Sequence, residues 1–137
     1  MVMSRPVILD TSILIAYGRG QLKLTKVIGD DDPAVAAITA MELLVGVERS
    51  TGKQRDIRAL QTEDVCATFP IEAYTLKVAR MHALLHRHVG RIGLPRGSFD
   101  LITAATAGAT GRTLLTLDAK AGFGKQPGVK AELVKVR

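Results

Sequence analysis

The chain has 137 residues, of which 47% are hydrophobic and only 4% aromatic, which predicts a single domain spanning residues 1–137 with an aliphatic core. Its 19 Lys and Arg residues outnumber its 13 Asp and Glu residues, and the net charge of +6 favours polyanionic partners such as nucleic acid. No segment approaches the roughly 18 consecutive apolar residues of a membrane span, and the single cysteine, Cys66, excludes a disulfide framework. We therefore expect a soluble protein of a reducing compartment, the cytoplasm.

Short β-branched segments alternate with helical patterns along the chain, which predicts the α/β class with a parallel sheet between helices. Strands are predicted at 7–10, 35–38, 65–69, 113–117 and 133–136. Helices are predicted at 12–17, 21–28, 40–50, 53–62, 72–89 and 98–109. The helix at 72–89 is supported by an apolar stripe formed by Tyr74, Val78, Met81 and Leu85.

Four acidic residues stand in apolar surroundings, where an unpaired charge is costly. Asp10 follows the strand-like segment PVIL, and Asp118 ends the segment TLLTLD. Glu42 lies within AMELLVGV, and Asp100 lies within SFDLITAATA. Such positions predict that these carboxylates have a specific use.

The predicted fold brings these four acids to one edge of the sheet. Asp10 and Asp118 each close a strand, while Glu42 and Asp100 are expected in the first turn of a helix that begins at the same edge. Like charges about 4 Å apart repel by about 4 kcal/mol at an effective dielectric near 20, so the cluster requires a cation. Oxygen ligands favour Mg²⁺ or Mn²⁺, and such an ion activates water for phosphodiester hydrolysis.

Simpler interpretations exist for each acid. Asp10 or Asp100 could complement the N-terminus of a helix, Glu42 could be an exposed helix residue, and Asp118 could belong to a turn. His82 and His86 have the i, i+4 spacing of a metal pair, but without a third ligand an ordinary helix face is favoured.

The same residues are also compatible with other functions. A haloacid-dehalogenase-like phosphatase would use Asp10 as its nucleophile, although Ser12 stands where that chemistry usually needs a second acid. A receiver-type module would need a phosphorylatable aspartate after the middle strand. The sequence at that point reads FPIEAY and contains no aspartate. A non-catalytic nucleic-acid-binding module is the third alternative.

The segments VILDTSILIAY, ITAMELLVGVER, SFDLITAATAGATGRTLLTLD and AELVKV, in this order and spacing, resemble the PIN-domain ribonucleases, and among them the VapC-type toxins of bacterial toxin–antitoxin pairs. The resemblance implies a Rossmann-like sheet of four to five strands in the order 3-2-1-4-5. It also implies an endoribonuclease whose acidic pocket holds Mg²⁺ or Mn²⁺. By matched motif, the metal-binding and catalytic acids would be Asp10, Glu42, Asp100 and Asp118.

The resemblance extends to supporting residues and partners. Hydroxyl groups that organise the pocket would be those of Thr11, Ser12 and Thr116. Many relatives carry a further acid shortly after the last one, whereas this chain has Ala121 and Gly122 before Phe123. The implied partners are a VapB-type antitoxin and a second copy of the chain, in a homodimer that assembles further with the antitoxin. Apart from the resemblance, Arg19, Lys23 and Arg96 are predicted on loops or helix starts near the acidic rim, where contact with RNA phosphates is one use and a solvated surface charge is the alternative.

Overall fold

A computed structural model of the chain describes residues 4–92, 97–119 and 122–135. Its centre is a five-stranded sheet in the order β3-β2-β1-β4-β5, in which every neighbouring pair is parallel. The strands are β1 Pro6–Leu9, β2 Asp32–Ala36, β3 Ile71–Glu72, β4 Thr113–Thr116 and β5 Ala131–Leu133. The predicted α/β class and strand order are confirmed.

Six α-helices connect and cover the strands. They are α1 Thr11–Gly18, α2 Leu24–Ile28, α3 Ala37–Glu48, α4 Gly52–Thr68, α5 Leu76–Ile92 and α6 Ser98–Thr110, and a short 3₁₀ helix follows at Phe123–Lys125. None of the helices formed by the described residues is long and apolar enough to cross a bilayer.

The two faces of the sheet are buried by different helices, and β1 shows why. Successive side chains of a strand point to opposite faces. Val7 and Leu9 pack with residues of α1 and α4, whereas Ile8 packs with residues of α5 and α6. Val7, Ile8 and Leu9 are fully buried, whereas Pro6 at the start of β1 is exposed. The residue that follows Leu9 therefore stands at the end of a strand that is enclosed on both faces.

The strand predicted at 65–69 is wrong. Residues 65–68 are the last turn of α4, and β3 is the two-residue strand Ile71–Glu72 beyond it. Thr62, Val65 and Phe69 are buried at i, i+3 and i+7, which is the spacing of a helix face.

The strand predicted at 35–38 begins and ends earlier than expected. β2 runs from Asp32 to Ala36, and α3 starts at Ala37 without a loop. Pro33 is tolerated because β3 pairs with β2 only farther along, at Val35 and Ala36.

Helix α5 begins four residues later than predicted. Val78 and Leu85 of the predicted stripe are buried, but Tyr74 precedes the helix and is half exposed. The last strand is likewise shifted, to Ala131–Leu133, and residue 136 of the predicted strand lies outside the described residues.

Candidate active site

Asp10 directly follows β1 and is only 7% exposed. It occupies the N-cap position of α1, yet its side chain makes no capping hydrogen bond. Its backbone N–H donates to the carbonyl of Leu115 in β4 at 3.0 Å, which continues the pairing of β1 with β4. The carboxylate is therefore held at the carboxyl edge of the sheet without serving as a helix cap.

Two hydroxyl groups fix one oxygen of this carboxylate. Ser12 Oγ and Thr116 Oγ1 each donate to Asp10 Oδ2 at 2.7 Å. Ser12 Oγ also accepts a hydrogen bond from the backbone N–H of Leu117 at 3.0 Å. Because both hydroxyls approach Oδ2, the side-chain hydrogen bonds of the described residues leave Oδ1 for another ligand.

Asp118 is joined to the same network through the main chain. Its backbone N–H donates to Thr116 Oγ1 at 3.0 Å, two residues beyond the end of β4. Asp118 itself is exposed, so it lies at the rim of the site.

Glu42 lies in the second turn of α3, not in the first as predicted, because the helix starts three residues earlier than expected. Thr11 Oγ1 donates to Glu42 Oε1 at 2.9 Å. Burial raises the pKa of Glu42, and the negative charges of Asp10 and Asp100 raise it further, while the Thr11 hydrogen bond opposes the shift.

Asp100 lies in the first turn of α6, as predicted, and is half-buried. Its negative charge acts on Glu42, as does that of Asp10. Acids at the end of β1 and in α6 thus both influence the carboxyl carried by α3.

The chemistry of this donor set fits a hard divalent cation, since the candidate ligands are carboxylate oxygens and a nearby positive charge would relieve their repulsion. Within residues 4–92, 97–119 and 122–135, no three acidic, histidine or cysteine side chains are yet gathered into a complete metal site.

Two of the predicted RNA-binding residues follow α1. Arg19 is the C-cap residue of α1 and Lys23 is the N-cap residue of α2, and both side chains are exposed. The third, Arg96, lies outside the described residues.

A groove of about 880 Å³ leads away from Thr11 and Glu42 between α1, α3 and α4. Its apolar lining includes Ile15, Leu43, Ile57, Leu60 and Val65. Sequence reasoning missed this feature because no single segment supplies it. In the sequence, the available signal is Leu60, an apolar residue within a mostly polar predicted helix. In the structure, the Leu60 side chain is 73% exposed.

Residues 7–125 match the PIN domain family. The chain belongs to the PIN-domain family. The match covers both strand ends that carry Asp10 and Asp118, as well as the helices that carry Glu42 and Asp100. The expected PIN-domain membership is confirmed.

Individual relatives of this PIN domain include ribonuclease VapC1 of Rickettsia felis, which is 31% identical over 114 residues, or 82% of this chain and 85% of the relative. The chain also superposes on VapBC-5 from Mycobacterium tuberculosis, a member of the VapBC family of toxin–antitoxin systems. That comparison has a TM-score of 0.78 with 28% identity and covers 93% of this chain and 98% of the other.

A further structure, VapBC2 from Rickettsia felis bound to a DNA fragment from their promoter, gives a TM-score of 0.84. Its identity is 22%, and the superposition covers 94% of this chain and 98% of the other. This comparison supports the PIN-domain fold.

Proposed function

We propose that this chain is the toxin of a VapBC-type toxin–antitoxin pair and acts as a divalent-metal-dependent endoribonuclease. One observation carries the proposal: at the carboxyl edge of a PIN-domain sheet, the negative charges of Asp10 and Asp100 both act on the carboxyl of Glu42. The likeness to a named VapC ribonuclease supports RNA as the substrate. The family match over residues 7–125 supports one PIN domain across residues 1–137, and a cytoplasmic location suits an enzyme that acts on RNA.

The residues proposed to hold the metal are Asp10, Glu42, Asp100 and Asp118, and Mg²⁺ or Mn²⁺ suits their oxygen ligands. When bound, such an ion supplies a water nucleophile of lowered pKa and positive charge for the phosphoryl oxygens. Oδ1 of Asp10 is the oxygen that the hydroxyls of Ser12 and Thr116 leave for this purpose.

Glu42 is suited to hold a cation together with Asp10 and Asp100. In the metal-free chain, burial and the charges of those two acids raise the pKa of its carboxyl, and a bound cation would relieve that repulsion. The Thr11 hydroxyl holds Oε1, which fixes the orientation of the carboxylate.

The basic residues support a path for the RNA backbone. Arg19 lines the groove that begins at Thr11 and Glu42, and Lys23 follows on the same connection between α1 and α2. We propose that both contact phosphates, and we extend the same role to Arg96 from the sequence alone. Such contacts make binding depend on salt concentration.

We propose a VapB-type antitoxin as the partner, with a homodimer of this chain and a larger assembly with antitoxin. The likeness to VapBC-5, a member of the VapBC family of toxin–antitoxin systems, supports the antitoxin as the partner. We propose that an apolar antitoxin segment occupies the groove between α1, α3 and α4 and that a basic side chain of that segment reaches Glu42. The groove supports this arrangement because it joins exposed apolar residues such as Ile57 and Leu60 to an acidic end.

The alternative phosphatase is less well supported. A nucleophilic aspartate needs an accessible oxygen beside a second acid, but Ser12 occupies that neighbouring position and donates to Asp10 Oδ2. A non-catalytic nucleic-acid binder is distinguished from the enzyme by the cleavage assay below.

The test is incubation of the purified chain with a panel of structured RNAs, including transfer RNAs, in Mg²⁺, in Mn²⁺ and in chelator. Cleavage is expected with either metal and is lost in chelator. Asp10→Asn and Asp100→Asn are expected to lower the rate by at least about 10²-fold, since each removes a ligand charge from the site. Asp56→Asn, an exposed change in α4, is the control. Cleavage that persists in chelator, or in both variants, contradicts the proposal.

The antitoxin groove has its own test. Leu60→Asp places a charge in the groove and is expected to abolish co-purification with the cognate antitoxin. Leu76→Asp is the matched control, because Leu76 is 68% exposed but lies on α5, away from the groove lining. Equal co-purification of both variants would reject the proposed groove.

A further inference from the structure

Helix α5 carries two histidines, one turn apart, on the same face. Residues at i and i+4 of a helix are neighbours, and His82 and His86 have this spacing. His82 is half-buried and His86 is exposed. Burial lowers the pKa of His82, and the charge of His86 lowers it further.

Tyr74 fixes the ring of His82. Its hydroxyl Oη lies 2.9 Å from His82 Nδ1, and the two rings meet edge to face with centroids 6.0 Å apart. When Nδ1 carries the proton and donates it to Oη, the lone pair of Nε2 is available. A hydrogen bond to the second ring nitrogen is the usual companion of a metal-ligating histidine.

We propose that His82 and His86 form a two-imidazole site for a late first-row divalent ion such as Zn²⁺, Ni²⁺ or Cu²⁺, with Tyr74 as the positioning residue. Imidazole suits these ions, whereas the carboxylates at the sheet edge suit Mg²⁺ or Mn²⁺, so the two sites select different metals. The ligands lie on α5, and the acids lie at the end of β1, beyond β4 and on α3 and α6. Water completes the coordination shell.

The chain offers a matched control for this site. His88 lies on the same helix but lines a separate small cavity with Met81, Leu84, Arg87 and Pro127. A metal that binds through imidazole at random would respond to loss of His88 as much as to loss of His86.

The experiment is calorimetric titration of the full chain with Zn²⁺ in excess Mg²⁺, which occupies the acidic site. One Zn²⁺ is expected to bind, and His82→Ala or His86→Ala abolishes that binding, whereas His88→Ala and Asp10→Asn retain it. Tyr74→Phe keeps the ring, removes the hydroxyl and is expected to weaken binding by about ten-fold. A parallel Cu²⁺ titration follows the visible absorption of copper–imidazole ligation.

Two outcomes overturn the site. One is Zn²⁺ binding that survives His82→Ala or His86→Ala, and the other is binding that is lost in His88→Ala or in Asp10→Asn. Circular dichroism of each variant verifies that α5 is still folded. Unchanged affinity in Tyr74→Phe would overturn the positioning role of Tyr74.

Discussion

The hydroxyl of Thr116 connects three parts of the candidate site. It donates to Asp10 Oδ2, lies 3.3 Å from Ser12 Oγ and accepts the backbone N–H of Asp118. Thr116 is the last residue of β4 and is only 4% exposed, so its position is set by the sheet. One buried hydroxyl therefore holds both the carboxylate of Asp10 and the backbone of Asp118.

Thr116→Val retains the shape of the side chain but removes these hydrogen bonds. Loss of the bonds leaves Asp10 less well oriented, and misplacement of a reacting group by about 1 Å can cost about 10²-fold in rate. We expect a decrease in RNA cleavage of that size and a loss of about 1–3 kcal/mol in the free energy of unfolding.

Thr116→Ser should recover most of the activity, because it restores the hydroxyl. Thr110→Val is the control, since that hydroxyl bonds only to carbonyls of α6 in the described structure. Wild-type turnover by Thr116→Val would show that Asp10 does not depend on this hydroxyl.

Glu42 makes the metal-free protein sensitive to pH. A carboxyl whose pKa is raised in the folded state contributes stability that is present below its unfolded value, near 4.5, and is lost as the pH rises through the raised pKa. In chelator, the melting temperature of the wild type should therefore fall over this range, and added Mg²⁺ should reverse the loss.

Glu42→Gln should remove this pH dependence while keeping an oxygen that can accept the Thr11 hydrogen bond. At neutral pH in chelator, we expect its melting temperature to exceed that of the wild type by about 2–4 °C, corresponding to about 1 kcal/mol. Glu63→Gln, an exposed change in α4, controls for loss of one negative charge. Melting curves that coincide with the wild type at every pH would show that ionisation of Glu42 does not destabilise the folded chain.

The residue scale also shows what the sequence can reveal. Three of the candidate acids are recognisable in the sequence because each interrupts apolar neighbours: Asp10, Glu42 and Asp100. In the structure, the charges of Asp10 and Asp100 both act on Glu42. The hydroxyl network was not derivable from the residues alone. Contact between Ser12 and Thr116 requires β1 and β4 to pair, and the separation of 104 positions gives no local signal.

At the scale of elements, α4 shows the limit of propensity. Residues 65–69 include a valine, a cysteine and a phenylalanine before a proline, and such a composition favours a strand. Packing decides the outcome, because a helix that continues to Thr68 buries Val65 and reaches Phe69 on the same face. The true strand, Ile71–Glu72, is too short to show an alternating pattern.

Close packing of α6 against α5 predicts opposite effects for two glycines. A Cβ at Gly108 would lie 2.7 Å from Met81 Cε and 3.1 Å from the Gly128 carbonyl oxygen. Gly108→Ala should therefore destabilise the fold by about 1–3 kcal/mol, despite the better helix propensity of alanine.

Gly90 is the matched position in α5, since no described atom lies within 4 Å of the Cβ that alanine would add. Gly90→Ala should stabilise the protein by about 0.5–1 kcal/mol. Urea denaturation of both variants measures the two effects. Equal stability changes would mean that the helices do not pack as closely as the structure indicates.

Across the whole molecule, Arg112 joins three strands. Its Nη1 donates to the carbonyl oxygens of Val7 in β1 and Asp32 in β2, at 3.1 and 2.9 Å, and Nη2 lies 3.5 Å from Glu72 Oε1 in β3. The side chain is only 13% exposed. The sequence predicted the strands β1 and β4, but neither this connection nor the strand order follows from local patterns; the order came from the family resemblance.

Arg112→Met keeps much of the side-chain volume and removes every one of these polar contacts. We expect it to lower the free energy of unfolding by about 1–3 kcal/mol, because two carbonyls and a carboxylate lose their partner. Arg55→Met, which breaks the exposed pair with Glu48, should change stability by no more than about 0.5 kcal/mol. Similar losses in both variants would mean that Arg112 does not join the strands.

The burial of β1 on both faces ties catalysis to the most protected part of the fold. Local opening is rare where side chains are fully enclosed, so the amides of residues 7–9 should be among the last to exchange with deuterium. Asp10 is anchored to the end of that strand. On slow heating, loss of enzymatic activity should consequently coincide with global melting. No earlier loss of activity is expected while the rest of the protein is still folded.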